Sequence, residues 1–262
     1  MSFFWLALFS YLFEKDSILE KAENDGFFYK NAEIVEISAC KPEKNALCIS
    51  HDGRNYLVKK SGNLEIEAKI VNDSLHLTVS PDPAYISYFL YIQSGCDVHK
   101  VQITKRDIVL EEKAANITRL QITGTGVGGP EILWSRKFKE EKLPPFSENF
   151  DKSLKSLRKA CKKPAISIDK ALEEAAGKSL AKIQNEGLKH YSSKDGGIRH
   201  TGVKKKILGE NLFAAKNEAE AWKMFVSSPS HLYNLINPQF RHYFNAIKKE
   251  KNEVTGAIVF SE

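Results

Sequence analysis

Eight short segments with alternating or β-branched apolar residues lie between Gly26 and Phe138, and their regular succession limits what this chain can fold into. In order they read AEIVEI, NYLVKK, LEIEAKIV, LHLTVS, YISYFLYIQ, KVQIT, TRLQITG and EILWSRKF. Turn-forming residues such as Asp52-Gly53 and Pro81-Asp82-Pro83 separate them. Short strands at this spacing predict an all-β, sandwich-like domain over residues 26–138.

The glycine-rich segment TGTGVGG, Thr123–Gly129, invites comparison with a phosphate-binding loop. Such a loop needs a helix N-terminus behind it, whereas here the strand-like residues EILW follow. We therefore interpret Thr123–Gly129 as a turn or bulge between two strands.

The pattern changes near residue 145. Lys139–Phe150 is charged and contains Pro144-Pro145, and the basic segment FDKSLKSLRKACKK follows, so residues 139–165 are predicted to be a linker with a short basic helix. Residues 166–262 have the character of a separate α/β unit. Its first helix is predicted from an Asp169 cap to a Gly187 stop, with one apolar face: Leu172, Ala175, Ala176, Leu180 and Ile183.

A second helix is predicted to begin at Asn217, with Glu220 as its capping-box partner, and to end before Pro229. The closing residues EVTGAIVFSE are strand-like. The chain as a whole is therefore expected to be α+β, with the β-rich part first.

The N-terminal residues 1–25 contain an apolar run, Phe3–Phe13, which has the length of a signal peptide and is too short to span a bilayer. Three interpretations stay open: a signal whose start lies upstream, an uncleaved anchor giving weak membrane association, or a buried segment. Export to a secreted or cell-envelope location is the favoured one. Four cysteines are present, and the spacing of Cys40 and Cys48 predicts a disulfide across a hairpin.

Charge gives little indication of a nucleic-acid partner. Lys and Arg total 39 against 33 Asp and Glu, a net charge of +6, and no basic stripe with interleaved aromatic residues occurs. We therefore expect a soluble globular protein that does not bind nucleic acid.

Glu210 is an acidic residue in an otherwise apolar stretch, between Leu208 and Leu212. Burying a carboxylate on such a strand is costly unless a partner stabilises it. His231 follows after a small-residue turn, Ser228-Pro229-Ser230, and is a candidate for that partner. Glu210 and His231 are also the candidates for acid–base catalysis.

The segments GENL and SPSHLYNLINP resemble the CAP superfamily, the cysteine-rich secretory, antigen and pathogenesis-related proteins, in its short bacterial form. The first helix agrees, because Leu172 and Ala175 are followed by His190 at the family's spacing of 190 − 175 = 15 residues. The segment HYSSKDGG then resembles the family's His-plus-Asp-Gly loop. The resemblance covers about residues 166–262.

This resemblance implies an α-β-α sandwich with a central cleft whose His and acidic residues can hold a divalent metal such as Zn²⁺. Carried over, the metal ligands are His190, Glu210 and His231, with His200 of IRHTG as the alternative to His190. Two imidazoles and one carboxylate suit Zn²⁺ and leave a fourth position open. The family's second acid has no match here, and Leu232 replaces the frequent Arg.

The resemblance leaves three functions open. The first, which we favour, is a non-enzymatic extracytoplasmic protein that binds a lipid, a peptide or a cell-envelope partner through the His/Glu cleft. The second is a metal-assisted hydrolase that uses the same cleft. The third is an envelope module in which the β domain docks.

Overall fold

The computed structural model describes residues 27–29, 33–39, 46–59, 65–71, 74–80, 82–104, 107–192, 196–251 and 253–262. Three sequence predictions fall on other residues: the apolar segment of residues 1–25, the thiol of Cys40, and Asp195 of the Asp-Gly loop. Within the described ranges, no helix combines the length and apolar character needed to cross a membrane.

The chain is mixed α+β, with fifteen strands and four α-helices in its described part. The strands are β1 (Phe27–Tyr29), β2 (Glu33–Ile37), β3 (Ala46–His51), β4 (Arg54–Lys59), β5 (Glu65–Val71), β6 (Ser74–Ser80), β7 (Ser87–Ser94), β8 (Asp97–Ile103), β9 (Asp107–Lys113), β10 (Arg119–Gly126), β11 (Gly129–Lys137), β12 (Ser167–Ile168), β13 (Leu208–Ala215), β14 (His242–Lys249) and β15 (Val254–Ser261). The helices are α1 (Phe150–Ala160), α2 (Glu173–Glu186), α3 (Glu218–Ser227) and α4 (Pro229–Ile236).

Two compact units divide the chain differently from the predicted segments. The first unit comprises Met1–Pro83, Ile103–Ile122 and Ile132–Glu140, and the second comprises Ala84–Gln102, Thr123–Glu131 and Glu141–Glu262. Residues 84–102 and 123–131, which the sequence pattern groups with the β domain of residues 26–138, thus lie in the same unit as the C-terminal region. Strands β10 and β11 each contribute residues to both units.

The first unit is β-rich, as the alternating segments predict. It contains two antiparallel three-stranded sheets, in the orders β2-β4-β3 and β5-β6-β9, and β1 pairs antiparallel with β11. Burial alternates along β6, where Leu75, Leu77 and Val79 are each 1% exposed. Period-two burial is what a half-buried strand requires. The sandwich packing of these sheets stays a prediction.

The second unit contains a four-stranded sheet in the order β12-β14-β15-β13, in which only β12 and β14 are parallel. Successive side chains of β15 enter different clusters of buried residues. Ile258 and Phe260 pack with residues of α1, α3 and α4, whereas Ala257 and Val259 pack with residues of α2. Because successive side chains of a strand point to opposite faces, helix α2 covers one face of the sheet and the other three helices cover the opposite face.

Helix α1 is part of this core, so its assignment to a linker was wrong. Phe150, Leu154 and Leu157 are buried in the large cluster, and Leu143 and Phe146 of the preceding segment pack against it. The indole Nε1 of Trp222 donates to the carbonyl of Pro144 across 3.1 Å. The charged residues of the segment dominate its composition, so its apolar residues were not recognised as part of the core.

Arg158 explains why a basic helix can be buried. Its side chain is 1% exposed, and its three guanidinium nitrogens donate to four carbonyl oxygens, those of Pro164, Leu235, Asn237 and Phe240. Burial lowers the pKa of Arg158 to about 10, with a further contribution from nearby Arg241. The guanidinium group thereby donates to backbone acceptors at and just after the end of α4, where helix carbonyls lack intrahelical partners.

A disulfide joins the β7–β8 hairpin to the end of α1. Cys96 lies in the hairpin turn and bonds to Cys161, 65 residues further along the chain. Lys163 Nζ also contacts Asp97 Oδ1 at 3.1 Å in the same region. Sequence spacing gave no indication of this pairing. Cys48 is disulfide-bonded as well, but its predicted partner Cys40 lies outside the described residues.

The predicted helix caps are confirmed. The Asp169 side chain accepts from Ala171 N–H at the start of a 3-10 turn that leads into α2, and Gly187 ends α2 with φ of 80°. Asn217 caps α3 by accepting from Glu220 N–H. The turn expected at Ser228–Ser230 was wrong, because α4 begins at Pro229 and carries His231 in its first turn. Proline suits the first helical position, because its fixed φ is helical and the N–H that it lacks would have no intrahelical acceptor there.

Candidate functional site

Glu210 is buried on β13, an edge strand of the four-stranded sheet. Its side chain is 7% exposed, and both carboxylate oxygens are engaged. Ser179 Oγ donates to Oε1 across 2.5 Å, and His190 Nδ1 lies 2.6 Å from Oε2. An ionised carboxylate can only accept, so Nδ1 of His190 carries the proton in this contact. The apolar neighbours Leu208 and Leu212 pack on the α2 side of the sheet, as expected from the strand pattern.

Ser179 is a partner that the sequence interpretation missed. It lies on helix α2 and is 2% exposed, four residues after Ala175 and four before Ile183, which are also buried. A hydroxyl at this position interrupts the apolar face of the helix. Since buried polar groups are almost always hydrogen-bonded, this interruption was the available sign that α2 faces a polar partner.

His190, rather than His200, lies against Glu210. His190 follows the end of α2, and its side chain is 21% exposed. His200 is exposed and packs its ring on Tyr191, with 5.4 Å between the ring centroids. Burial raises the pKa of the Tyr191 phenol, and the charge of Glu210 raises it further. Tyr191 therefore borders the same carboxylate, and we call Ser179, His190, Tyr191 and Glu210 the Glu210 site.

His231 makes no hydrogen bond or ion pair with Glu210 in the part of the chain that the structure describes. Its ring contacts the Phe225 ring edge-on at 5.3 Å, and its buried Nδ1 has no hydrogen-bond partner among those residues. Burial, together with the proximity of His190, lowers the pKa of His231 to about 4. Of the two imidazoles expected to lie near Glu210, His190 is the one that contacts the carboxylate directly.

The remaining residues of the GEN motif connect β13 to α4. Asn211 is fully buried, and its Nδ2 donates to the carbonyl of His231 across 3.1 Å. Asn234 Nδ2 donates both to the Glu210 carbonyl and to Asn211 Oδ1. A Cβ on Gly209 would lie 2.7 Å from the Phe240 ring. Asn234 of α4 thus supplies a donor to the Glu210 carbonyl at the open edge of β13, where a backbone group would otherwise be left unpaired.

The predicted metal ligands do not fit a preformed metal site. Among the described residues, no group of three or more His, Cys, Asp and Glu side chains is arranged to hold a metal ion. Both oxygens of Glu210 and Nδ1 of His190 are used in contacts with protein groups. Each oxygen of Glu210 keeps a second lone pair, but among the described residues no second His or acidic side chain contacts this carboxylate beside His190.

The same geometry restricts the catalytic chemistry. Ser179 is the hydroxyl nearest the carboxylate, but it is buried and donates to the carboxylate itself, not to an imidazole. A nucleophile needs access to substrate and a base that accepts its proton. The arrangement therefore resembles a satisfied polar cluster with one partly exposed imidazole.

No family model and no curated protein sequence matches this chain. An outer surface protein from Borrelia burgdorferi is similar at 21% identity, covering 42% of this chain and 87% of that chain, with a TM-score of 0.39. A cysteine-rich secretory protein from Staphylococcus aureus is similar at 14% identity, covering 80% of this chain and 84% of that chain, with a TM-score of 0.35.

Proposed function

We propose that this chain carries a CAP-like domain that acts outside the cytoplasm as a non-enzymatic binding protein, with its ligand or partner contacting the Glu210 site. The observation that carries the proposal is that each oxygen of the Glu210 carboxylate already contacts a protein donor. Because Ser179 and His190 occupy both oxygens of Glu210, the partly exposed groups left for a ligand are those of His190 and Tyr191. These aromatic groups suit recognition better than proton transfer from a buried acid.

The CAP-like assignment is supported by motif order and by contacts within the motifs. GEN precedes SPSHLYN in the sequence, and Asn211 and Asn234 join these two segments by hydrogen bonds. His190 stands at the expected spacing from Ala175 and contacts the GEN glutamate. The sheet has helices on both faces, which is the layering that an α-β-α sandwich requires.

The extracytoplasmic location is supported by the Cys96–Cys161 disulfide, because such bonds persist in oxidising compartments. A lipid, a peptide or another cell-envelope component is the class of partner that we propose. The mild net charge of +6 offers no argument for nucleic acid.

The alternative is a metal-assisted hydrolase, and one set of measurements separates the two functions. The full chain is titrated with Zn²⁺ in a calorimeter and assayed with p-nitrophenyl acetate and casein, alongside Glu210→Gln and His190→Ala. We expect no stoichiometric Zn²⁺ binding and no turnover above the two variants. One Zn²⁺ per chain, together with hydrolysis that Glu210→Gln abolishes, would establish the hydrolase instead.

Binding itself is tested by nuclear magnetic resonance. The ring signals of His190 and Tyr191 are followed while vesicles of phosphatidylcholine and phosphatidylglycerol, and separately a tripeptide mixture, are added. Saturable shifts at these two residues are expected from one of the probes. Shifts confined to residues far from the Glu210 site would contradict the proposed location.

A further inference from the structure

The turn between β10 and β11 reaches the backbone of the Glu210 site. Gly129, the first residue of β11, has a φ of +94°. A Cβ built on it would lie 2.8 Å from the carbonyl oxygen of Tyr191 and 2.9 Å from Cβ of His190. Neither atom is the far end of a flexible side chain, so a larger residue at position 129 must displace either its own turn or the backbone that carries His190.

His190 depends on such support because it lies outside regular structure. Helix α2 ends at Gly187, and no helix or strand includes His190, Tyr191 or Ser192. The only hydrogen-bond partner of the His190 side chain in the described ranges is Glu210. A residue in a loop keeps its ring orientation only if neighbouring atoms restrict its backbone.

We propose that Gly129 is a positioning residue, which lets the β10–β11 turn lie against residues 190 and 191 and so holds the His190 ring toward Glu210. The glycine-rich segment Thr123–Gly129 then has a role beyond closing a hairpin. Its last glycine is needed both for the positive φ and for the close approach. This proposal rests on the proposed function, since His190 and Glu210 border the proposed binding surface. Its test, however, measures the hydrogen bond between His190 and Glu210 and needs no ligand.

Two other glycines of the chain provide matched controls. Gly128 is the chain neighbour of Gly129, and the nearest atom to its built Cβ is Glu131 Oε1 at 4.0 Å. Gly95 has a φ of +61° with no atom within 4 Å of its built Cβ. Gly95→Ala therefore places alanine at a positive φ, though a smaller one than at Gly129, without the close contact, and Gly128→Ala changes the same turn without either.

The experiment uses the full chain with ¹⁵N-labelled histidine. The proton on His190 Nδ1 that is donated to a carboxylate should give a protected downfield resonance, which is assigned by its absence in His190→Gln. In Gly129→Ala we expect this resonance to disappear or to exchange about tenfold faster, because the hydrogen bond opens more often. Gly128→Ala and Gly95→Ala should retain it. An unchanged resonance in a folded Gly129→Ala protein would overturn the proposal.

A second variant keeps the test decisive if Gly129→Ala does not fold. His190→Gly is then added, since it removes the side-chain atom that lies 2.9 Å from the new Cβ. Recovery of folding in the double variant supports the contact. An equal loss of stability in the single and the double variant would show that the His190 side chain is not what the new Cβ displaces, and would overturn the positioning role. Neither outcome depends on whether the Glu210 site binds a ligand.

Discussion

The hydroxyl of Ser179 lies 2.5 Å from Oε1 of Glu210, so that a helix and an edge strand are joined through a buried carboxylate. Glu210 is a charged group between Leu208 and Leu212, where desolvation would be costly without partners. Ser179 and His190 supply one donor for each oxygen. The carboxylate can therefore be buried as part of the core.

Ser179→Ala is expected to destabilise the second unit by about 1–3 kcal/mol, the cost of leaving a buried acceptor without its donor. The loss should be local to helix α2 and strand β13. Hydrogen exchange of peptides that span β13, followed by mass spectrometry, measures the free energy of local opening in this strand.

Ser156→Ala serves as the control for that variant. Ser156 is an exposed serine on helix α1, so its substitution tests the helix propensity of alanine without a buried partner. It should leave exchange in β13 unchanged. Equal protection of β13 in Ser179→Ala and wild type would show that the hydroxyl contributes no net stability.

The stability of the protein should fall as the pH falls from about 6.5 toward 4, because of His231. Its pKa in the folded protein is about 4, below the ordinary value, since burial disfavours the imidazolium ion and His190 lies nearby. Unfolding then takes up a proton between these two pH values, so acid favours the unfolded state. Above about pH 6.5 the imidazole is neutral in both states and contributes no slope. The expected loss between pH 7 and pH 5 is about 2 kcal/mol.

Urea unfolding at a series of pH values measures this effect, with His231→Gln as the comparison. Glutamine cannot titrate, so the slope of unfolding free energy against pH should be smaller in the variant over this range. The comparison uses slopes, since the variant can also change the stability at every pH. Equal slopes of unfolding free energy against pH in the wild type and the variant would contradict the proposal that the His231 imidazole is buried in its neutral form.

Reduction of the Cys96–Cys161 bond should destabilise the second unit by about 4 kcal/mol, the chain-entropy value for a closed loop of this length. The paired variant Cys96→Ser, Cys161→Ser should match the reduced protein. Thermal unfolding of both forms provides the measurement. The Cys40–Cys48 bond predicted from sequence would close a loop of 48 − 40 = 8 residues, so its paired serine variant should cost less, about 2 kcal/mol.

Peptide mapping of the unreduced protein checks both bonds in one digest. The Cys96 and Cys161 peptides should be found linked, and the Cys40–Cys48 prediction is tested by the same spectra. Free thiols at Cys96 and Cys161 in protein from its native compartment would contradict the disulfide and weaken the proposal of export.

Local sequence patterns predicted the helix caps and eight of the strands before residue 138, because those depend on residues close together in the chain, but they did not indicate β1, β9 or β14. Asp169, Gly187 and Asn217 each act through a neighbour within four residues. Helix α4 was missed because its small N-terminal residues are typical of turns. Its helical character comes from Leu232, Leu235 and Ile236, which the core buries.

The site was predictable only in part. The unpaired charge of Glu210 and the family spacing of His190 identified one contact correctly. Ser179, Gly129 and Arg158 were missed, since each has a partner that is distant in sequence: Glu210, the backbone of His190, and the carbonyls at the end of α4. The choice between His190 and its alternative His200 also needed three-dimensional information, since it depends on which ring lies against Glu210.

The bond between Cys96 and Cys161 encloses the β10–β11 turn within its loop, and this limits how the gene can be shortened or recombined. A coding fragment that starts at residue 139 or 166 would lack Cys96 and Gly129. In the fragment that starts at residue 139, Cys161 would be left as an unpaired thiol, and the fragment that starts at residue 166 would lack Cys161 as well. Both fragments would lose the turn that lies against His190. The C-terminal region is therefore not expected to be exchanged between genes by itself. The shortest gene fragment that keeps both the disulfide and the turn begins no later than the β7–β8 hairpin.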